Sequence, residues 1–236
     1  MTTCAIILAG GQGTRLRPVI NSTPKALAKI NGRPFIYFLL DQLKETGIKL
    51  IVMSTGFGSL EIERELGNWY RDMKIVYSQE AVPLGTGGAL RKAAPYVNSS
   101  DVLVLNGDSF CQSNLSSFLE WYQSRSVEAA MIVTKTDVPS AFGQLCFSSK
   151  GKVESFIEKR TQKTNSWINA GIYLFSQNIL STINEDRPLS LEKNLFPQWT
   201  REGRLWAYPA ESPFIDIGTP ESFAQAQTFF GAFAGV

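Results

Sequence analysis

The sequence predicts an α/β fold: a Rossmann-like, mostly parallel mixed sheet flanked by helices, in one continuous domain. Three observations carry this. Short apolar runs bounded by glycine or polar residues have the form of buried parallel strands. Amphipathic stretches fall between them, giving a β-α-β-α order through residues 1–110. The 236 residues are 44% hydrophobic and 19% charged, which supplies a sizeable core and excludes disorder, collagen and coiled coil.

The elements follow in order. Ala5-Ile6-Ile7-Leu8, within Cys4 to Ala9, is the first strand, ended by glycines. A helix is expected from Pro34, a residue suited to a first helical turn, with Phe35, Phe38, Leu39 and Leu43 on one face and Gly47 closing it. Leu50 to Met53 and Ile75 to Tyr77 are the next strands, with a short helix between them carried by Ile62 and Leu66. Thr86 to Ala94 reads as helix, and Val102 to Leu105 as a fourth strand running into Asn106-Gly107-Asp108. The second half is less regular. Strands are expected at Ala129 to Thr134 and Ile172 to Phe175, and a hairpin of Leu145 to Phe147 with Lys152 to Ile157 around Lys150-Gly151. A helix near Leu191 and a last one from Pro220 to Phe230 complete the chain. No internal repeat, low-complexity segment or Pro/Ser-rich linker interrupts it.

Composition removes several function classes. Lysine plus arginine total 23 against 21 aspartate plus glutamate, too balanced for a nucleic-acid-coating protein. Any phosphate chemistry therefore rests on placed cations rather than a basic field. There is no histidine, which excludes Ser-His-Asp and Cys-His triads, HExxH zinc sites and imidazole bases. Cys4, Cys111 and Cys146 lie far apart and form no CxxC pair, so structural zinc and a disulfide scaffold lose their support. No signal peptide is legible, and no run approaches the roughly 20 apolar residues of a membrane span. A cytoplasmic protein with no membrane partner is expected.

In a doubly wound sheet, ligands bind beyond the carboxyl ends of the strands. Two motifs fall there: Gly10-Gly11-Gln12-Gly13-Thr14-Arg15 after the first strand and Asn106-Gly107-Asp108 after the fourth. Glycines let backbone approach a ligand closely and offer N–H groups to phosphate oxygens. The loop is neither a Walker A sequence nor a dinucleotide fingerprint, since Leu16 stands where GxGxxG requires glycine. Arg15, Arg17 and Lys25 follow within a short stretch, and three cations beside a backbone cradle suit a polyphosphate.

Leu8-Ala9-Gly10-Gly11-Gln12-Gly13-Thr14-Arg15-Leu16-Arg17-Pro18, followed by Pro24-Lys25, resembles the signature of the sugar-1-phosphate nucleotidylyltransferases. Four later segments are similar to the same family in the same order: Pro83 to Ala89, Leu105 to Asp108, Asn169 to Tyr173 and Phe214 to Pro220. Within the family the pattern is closest to the D-glycero-α-D-manno-heptose 1-phosphate guanylyltransferases. Mannose-1-phosphate guanylyltransferases are similar at Leu-Gly-Thr but usually continue Ala-Gly, where this chain has Gly87-Gly88. The left-handed β-helix domain of some relatives is not expected here.

The resemblance implies transfer of GMP from GTP to a sugar 1-phosphate, with pyrophosphate released and Mg²⁺ as cofactor. Mannose 1-phosphate, or UTP, CTP or dTTP, remain alternatives. It divides the domain into a nucleotide-binding half, 1–110, and a sugar-phosphate-binding half, 111–236. Arg15 and Lys25 would stabilise the reacting phosphates, and Asp108 and Asp216 would hold the metal. Leu8, Ala9, Gly10, Gly11, Gly13, Thr14, Glu80, Gly85, Thr86 and Gly87 would bind the nucleotide. Gly143, Glu158, Lys159 and Asn169 would bind the sugar phosphate, with Trp167 within reach of the sugar. Phe229, Phe230 and Phe233 are candidates for a homo-oligomer interface. A sensor that binds nucleotide sugars without turnover is the non-enzyme alternative, but Arg15, Lys25, Asp108 and Asp216 are all present. A glycosyltransferase would be expected to carry a DxD motif, from which Asn106-Gly107-Asp108 departs.

Overall fold

The computed structural model describes residues 4–136, 142–158, 166–183 and 188–231. Its strands are β1 (Cys4–Ala9), β2 (Lys29–Ile30), β3 (Arg33–Pro34), β4 (Leu50–Thr55), β5 (Trp69–Tyr70), β6 (Met73–Gln79), β7 (Asp101–Asn106), β8 (Ser109–Cys111), β9 (Ala129–Lys135), β10 (Gln144–Phe147), β11 (Val153–Ile157), β12 (Trp167–Ser176), β13 (Leu205–Pro209) and β14 (Phe214–Asp216). Its α-helices are α1 (Arg17–Ile20), α2 (Ile36–Lys44), α3 (Ser59–Leu66), α4 (Gly85–Ala93), α5 (Leu115–Gln123), α6 (Gln177–Ser181), α7 (Phe196–Arg201) and α8 (Pro220–Gly231).

The main sheet runs β11-β10-β12-β7-β1-β4-β6-β5, and β9 branches from β12 with β13 beside it. β1 lies parallel between β4 and β7, with Leu8 opposite both Ser54 and Asn106. Chain order reverses across β1, because β4 and β6 follow on one side and β7 on the other. A crevice opens at the carboxyl ends of the strands at such a switch point.

Period-two alternation divides the strands between two cores. Ala5, Ile7, Ile51, Met53, Leu103 and Leu105 face the side covered by α2, α5 and α8. Cys4, Ile6, Val52, Val102 and Val104 face the other, with Leu90 of α4, Leu180 of α6 and Trp199 of α7. Helices on both faces of a largely parallel sheet confirm the predicted architecture.

β12 has an unusual position. Its first residues pair with β9 and, through Ile168 opposite Gln144, with β10. From Ile172 onward it pairs with β7. Its register with β9 breaks between Asn169 and Tyr173, a bulge where Gly171 takes φ +75°. A Cβ on Gly171 would fall 2.5 Å from the Ser109 hydroxyl oxygen, so glycine is required by both conformation and space.

Several elements differ from the sequence reading. α2 begins at Ile36, because Arg33 and Pro34 are taken up in a hairpin with Lys29 and Ile30. α5 was not expected, although Leu115, Phe118, Leu119 and Tyr122 are buried at helical spacing and the Asn114 side chain accepts from Ser117 N–H. The short strands β8, β13 and β14 also went unread, since three to five residues carry too little periodicity. Phe230 is not an interface residue. It is buried, stacked on Phe38 at 4.0 Å and edge-on to Phe110 at 5.1 Å. Phe229 packs edge-on to Phe110 at 6.2 Å, and Phe233 lies outside the described residues. All three cysteines are free, with Cys4 and Cys111 buried and Cys146 exposed.

Since Phe230 anchors α8 to α2 and β8, Phe230→Ala is expected to destabilise the fold by about 3–5 kcal/mol. Urea denaturation reads this directly, and an unchanged midpoint would refute the anchoring role.

Candidate functional site

A cavity of about 770 Å³ opens beyond the carboxyl ends of β1 and β7. Its floor is backbone in close approach. Gly107 N–H donates to the Leu8 carbonyl at 2.9 Å, and a Cβ on Gly107 would fall 2.8 Å from that oxygen. Gly56 lies against Gly10, where a Cβ would meet the Gly10 carbonyl oxygen at 2.8 Å. Glu80 is locked behind the loop: one carboxylate oxygen accepts from Leu84 N–H at 2.9 Å and the other from the Ser54 hydroxyl at 3.4 Å.

The pairing of β8 with β14 sets Asp216 opposite Ser109, and Ile217 N–H donates to the Asp108 carbonyl at 2.9 Å. Two aspartates remote in sequence therefore meet on one wall. Lys25 Nζ donates to Asp108 Oδ2 at 2.7 Å, with the lysine 12% and the aspartate 47% exposed. Asp216 Oδ2 accepts from Gly218 N–H at 2.7 Å. Burial raises the Asp216 pKa above its ordinary value, opposed by the Gly218 N–H and by the charges of Lys25 and Arg15, while Asp108 raises it further. Arg15 lines the cavity and its guanidinium reaches Gly218.

Among the described residues, no three His, Cys, Asp or Glu side chains cluster to hold a metal alone. Asp108 and Asp216 suit a hard cation that completes its shell with phosphate oxygens and water, as Mg²⁺ does.

Beside this wall, β12 contributes a polar cluster. Asn169 Nδ2 donates to the Tyr173 hydroxyl at 2.9 Å, and Asn169 Oδ1 accepts from Gly171 N–H at 2.9 Å. Both ends of this amide thus hold the β12 bulge. Asn169 N–H donates to the Gly143 carbonyl at 2.9 Å, which seats Gly143 beside it and close to Glu158. Complete burial pushes the Tyr173 hydroxyl well above its ordinary pKa, and the negative charge of Glu192 adds to this.

The remaining wall joins α4 to the segment before α7. Gly87 and Gly88 N–H groups donate to the Leu189 carbonyl at 2.7 and 3.1 Å, so these amides cap a backbone oxygen of the protein itself. Thr86 donates to Glu192 at 2.8 Å and accepts from Leu191 N–H at 2.8 Å.

The structure thus gathers Leu8, Ala9, Gly10, Gly11, Arg15, Lys25, Glu80, Gly85, Thr86, Asp108, Gly143, Glu158, Asn169 and Asp216 around one cavity. Gly13, Thr14 and Gly87 are not part of its lining. Gly13 instead turns the chain at φ +58°, its carbonyl accepting from Leu16 and Arg17 N–H groups. Lys159 lies outside the described residues. Arg17 does not join the other cations, because its guanidinium sits over the Phe57 ring at 5.0 Å. Trp167 packs edge-on to Phe147 and under Lys135 rather than lining the cavity. Glu192 lines it and was missed, since no motif marks a residue joined to Thr86 only by the fold.

A raised native pKa means that the folded state binds the Asp216 proton more tightly than the unfolded chain does. The stability this supplies is full below the ordinary carboxylate range and is lost as pH rises through the raised value. Asp216→Asn is therefore expected to melt above wild type near pH 8, with the gap closing in acid. Melting temperatures across pH test this, and a variant less stable than wild type at pH 8 would contradict it.

The chain matches the nucleotidyl transferase family over residues 4–232. It is 34% identical over 225 residues to the mannose-1-phosphate guanylyltransferase catalytic subunit beta of Drosophila melanogaster, covering 94% of this chain and 61% of that protein. Over 224 residues it is 32% identical to the mannose-1-phosphate guanylyltransferase of Mycobacterium tuberculosis, covering 94% and 62%. It therefore spans less than two thirds of the length of these curated relatives. HddC from Yersinia pseudotuberculosis superposes with a TM-score of 0.85 at 32% identity, covering 97% of this chain and all of HddC. The same protein complexed with GMP-PN superposes at 0.84. Among the described residues no helix is long and apolar enough to cross a membrane. With the glycine loop, the paired aspartates and a match running almost end to end, the chain belongs to the nucleotidyl transferase family.

Proposed function

We propose that this chain transfers GMP from GTP to a sugar 1-phosphate, with D-glycero-α-D-manno-heptose 1-phosphate as the preferred acceptor, and releases pyrophosphate. The observation that carries the reading is the meeting of Asp108 and Asp216 beside Lys25 and Arg15, at the mouth of a glycine-rich loop. Likeness to HddC, which was crystallised with GMP-PN, supports a guanine nucleotide. The Leu84-Gly85-Thr86-Gly87-Gly88 string supports the heptose.

The reaction needs no general base. A sugar phosphate is already an anion at neutral pH, so the absence of histidine is no obstacle. One phosphate oxygen of the sugar forms a bond to the α-phosphorus as the bond to pyrophosphate breaks, and the leaving group departs with the electron pair. The protein's part is charge neutralisation and in-line positioning. Arg15 stabilises charge on the triphosphate and on the departing pyrophosphate. Lys25, fixed by Asp108, holds the reacting phosphates. Asp108 and Asp216 would hold Mg²⁺, which when bound neutralises phosphate oxygens of both substrates. Residues 1–110 form the nucleotide half of the domain and 111–236 the sugar half, where Gly143, Glu158 and Asn169 line the cavity and Lys159 is assigned to the sugar phosphate. We place the reaction in the cytoplasm, where nucleoside triphosphates are available. Mannose 1-phosphate is the second reading, favoured by the curated relatives.

Pyrophosphate release with four nucleoside triphosphates and a panel of sugar 1-phosphates tests the proposal, in Mg²⁺ and in EDTA. Release is expected to be fastest with GTP and the heptose phosphate and to stop in EDTA. Release with another pair would keep the chemistry and correct the substrate, and none with any pair would leave a binding protein. Arg15→Ala is expected to lower kcat by roughly a hundredfold or more while lowering the melting temperature only slightly. Turnover at the wild-type rate in this variant would remove Arg15 from its role.

A further inference from the structure

Asp108 immediately precedes β8 and Asp216 ends β14, and the two strands pair from Cys111 and Phe214 to Ser109 and Asp216. Strands of three residues carry little rigidity of their own. One helix, α2, reaches both. Its Gln42 side chain donates from Nε2 to the Cys111 carbonyl at 2.7 Å and to the Ser113 carbonyl at 3.0 Å. One turn earlier, Phe38 stacks on Phe230 of α8 at 4.0 Å, and α8 begins soon after Asp216. Phe230 also packs edge-on against Phe110 of β8 at 5.1 Å.

We propose that Gln42 is a positioning residue for the cation site: by clamping the end of β8 to α2, it fixes the separation of the Asp108 and Asp216 carboxylates. This rests on the proposed function, because it takes those two aspartates to hold a divalent cation.

Residues at i and i+4 share a helix face, so Phe38 and Gln42 present two anchors side by side. One holds the helix into which β14 runs, and the other holds β8. A carboxamide nitrogen carries two N–H groups, and Gln42 spends them on two different carbonyls, a forked grip that a single bond would leave free to pivot. Carbonyl oxygens only accept, so the amide must face them with its nitrogen. Its own oxygen, Oε1, is then buried with no partner among the described residues. An unpaired buried acceptor is destabilising, and an apolar side chain of the same size would avoid it if α2 had only to pack. The retained carboxamide is explained by what its nitrogen holds. Gln42 is not part of the cavity lining, so it acts only through the strand. Magnesium demands near-ideal octahedral geometry, and two carboxylates on short strands meet that demand only when the strands are held.

Binding of Mn²⁺ alone to the full chain, followed by electron paramagnetic resonance, tests this without turnover. Gln42→Leu keeps the size of the side chain and removes both donors. Its Mn²⁺ dissociation constant is expected to rise roughly tenfold, and the Mg²⁺ concentration for half-maximal pyrophosphate release with it, while the KM for sugar 1-phosphate at saturating Mg²⁺ stays within about twofold. Gln42→Lys, whose ammonium donates to both carbonyls, is expected to bring Mn²⁺ affinity back to within about threefold of wild type. A glutamine that only stabilises the fold would give a lower melting temperature in Gln42→Leu with Mn²⁺ affinity unmoved. That result would overturn the proposal, as would a Gln42→Lys variant that binds no tighter than Gln42→Leu. If Gln42→Leu does not fold, Phe38→Leu loosens the neighbouring anchor and is expected to weaken Mn²⁺ binding by roughly threefold or more; unchanged affinity there would also overturn it. A wild type that binds no Mn²⁺ would instead overturn the metal role of the aspartates, and this inference with it.

Discussion

The constraint on which the site turns is the largely buried Asp216 carboxylate, whose charge its surroundings offset only in part. Burial works against ionisation there, and a nearby second carboxylate on Asp108 works in the same direction. What opposes them is local and specific: the Gly218 N–H, the Lys25 ammonium and the Arg15 guanidinium. The first lies two residues along the chain from Asp216, and the two cations come from the segment that follows β1. The β8–β14 pair is short, but the placement of both aspartates depends on it. A cation held between the aspartates, as proposed, would offset the repulsion between them.

A second constraint is the closeness of backbone to backbone beneath the cavity. Gly10, Gly56 and Gly107 sit where side-chain atoms would collide with neighbouring carbonyl oxygens or with Glu80. The glycine loop is therefore more than the phosphate surface proposed for it. It is also the consequence of three strand ends converging in little space. Glu80, which the sequence reading gave to the nucleotide, holds Leu84 and faces Ser54, so its structural part is to fix the loop leading into α4.

Legibility followed the range of the interactions. The parallel strands, the glycine loop, Asp108 and Lys25 were readable because a local run of residues encodes each. Asp216 was readable through the Phe214 to Pro220 segment, although its neighbour Asp108 lies far away in sequence. Arg17 was misread because its composition and spacing match those of Arg15, and only the fold turns it onto Phe57. Phe230 was misread because a helix near a terminus shows which residues are apolar but not what covers them. Glu192 was not legible at all. Its partner Thr86 is 106 residues away, and no periodicity joins such positions.

The bulged strand β12 ties together two stretches of the sheet. Its early residues bind β10 and β9 beside Gly143, and its later ones bind β7 behind the glycine loop. The cavity residues that β12 carries, Asn169 and Gly171, therefore cannot drift by insertion or deletion without shifting register against the strand that carries Asn106. The two sides of the cavity are thus poor modules for exchange. The lining of such a cavity is more readily altered by substituting side chains around a fixed backbone than by grafting one side onto another.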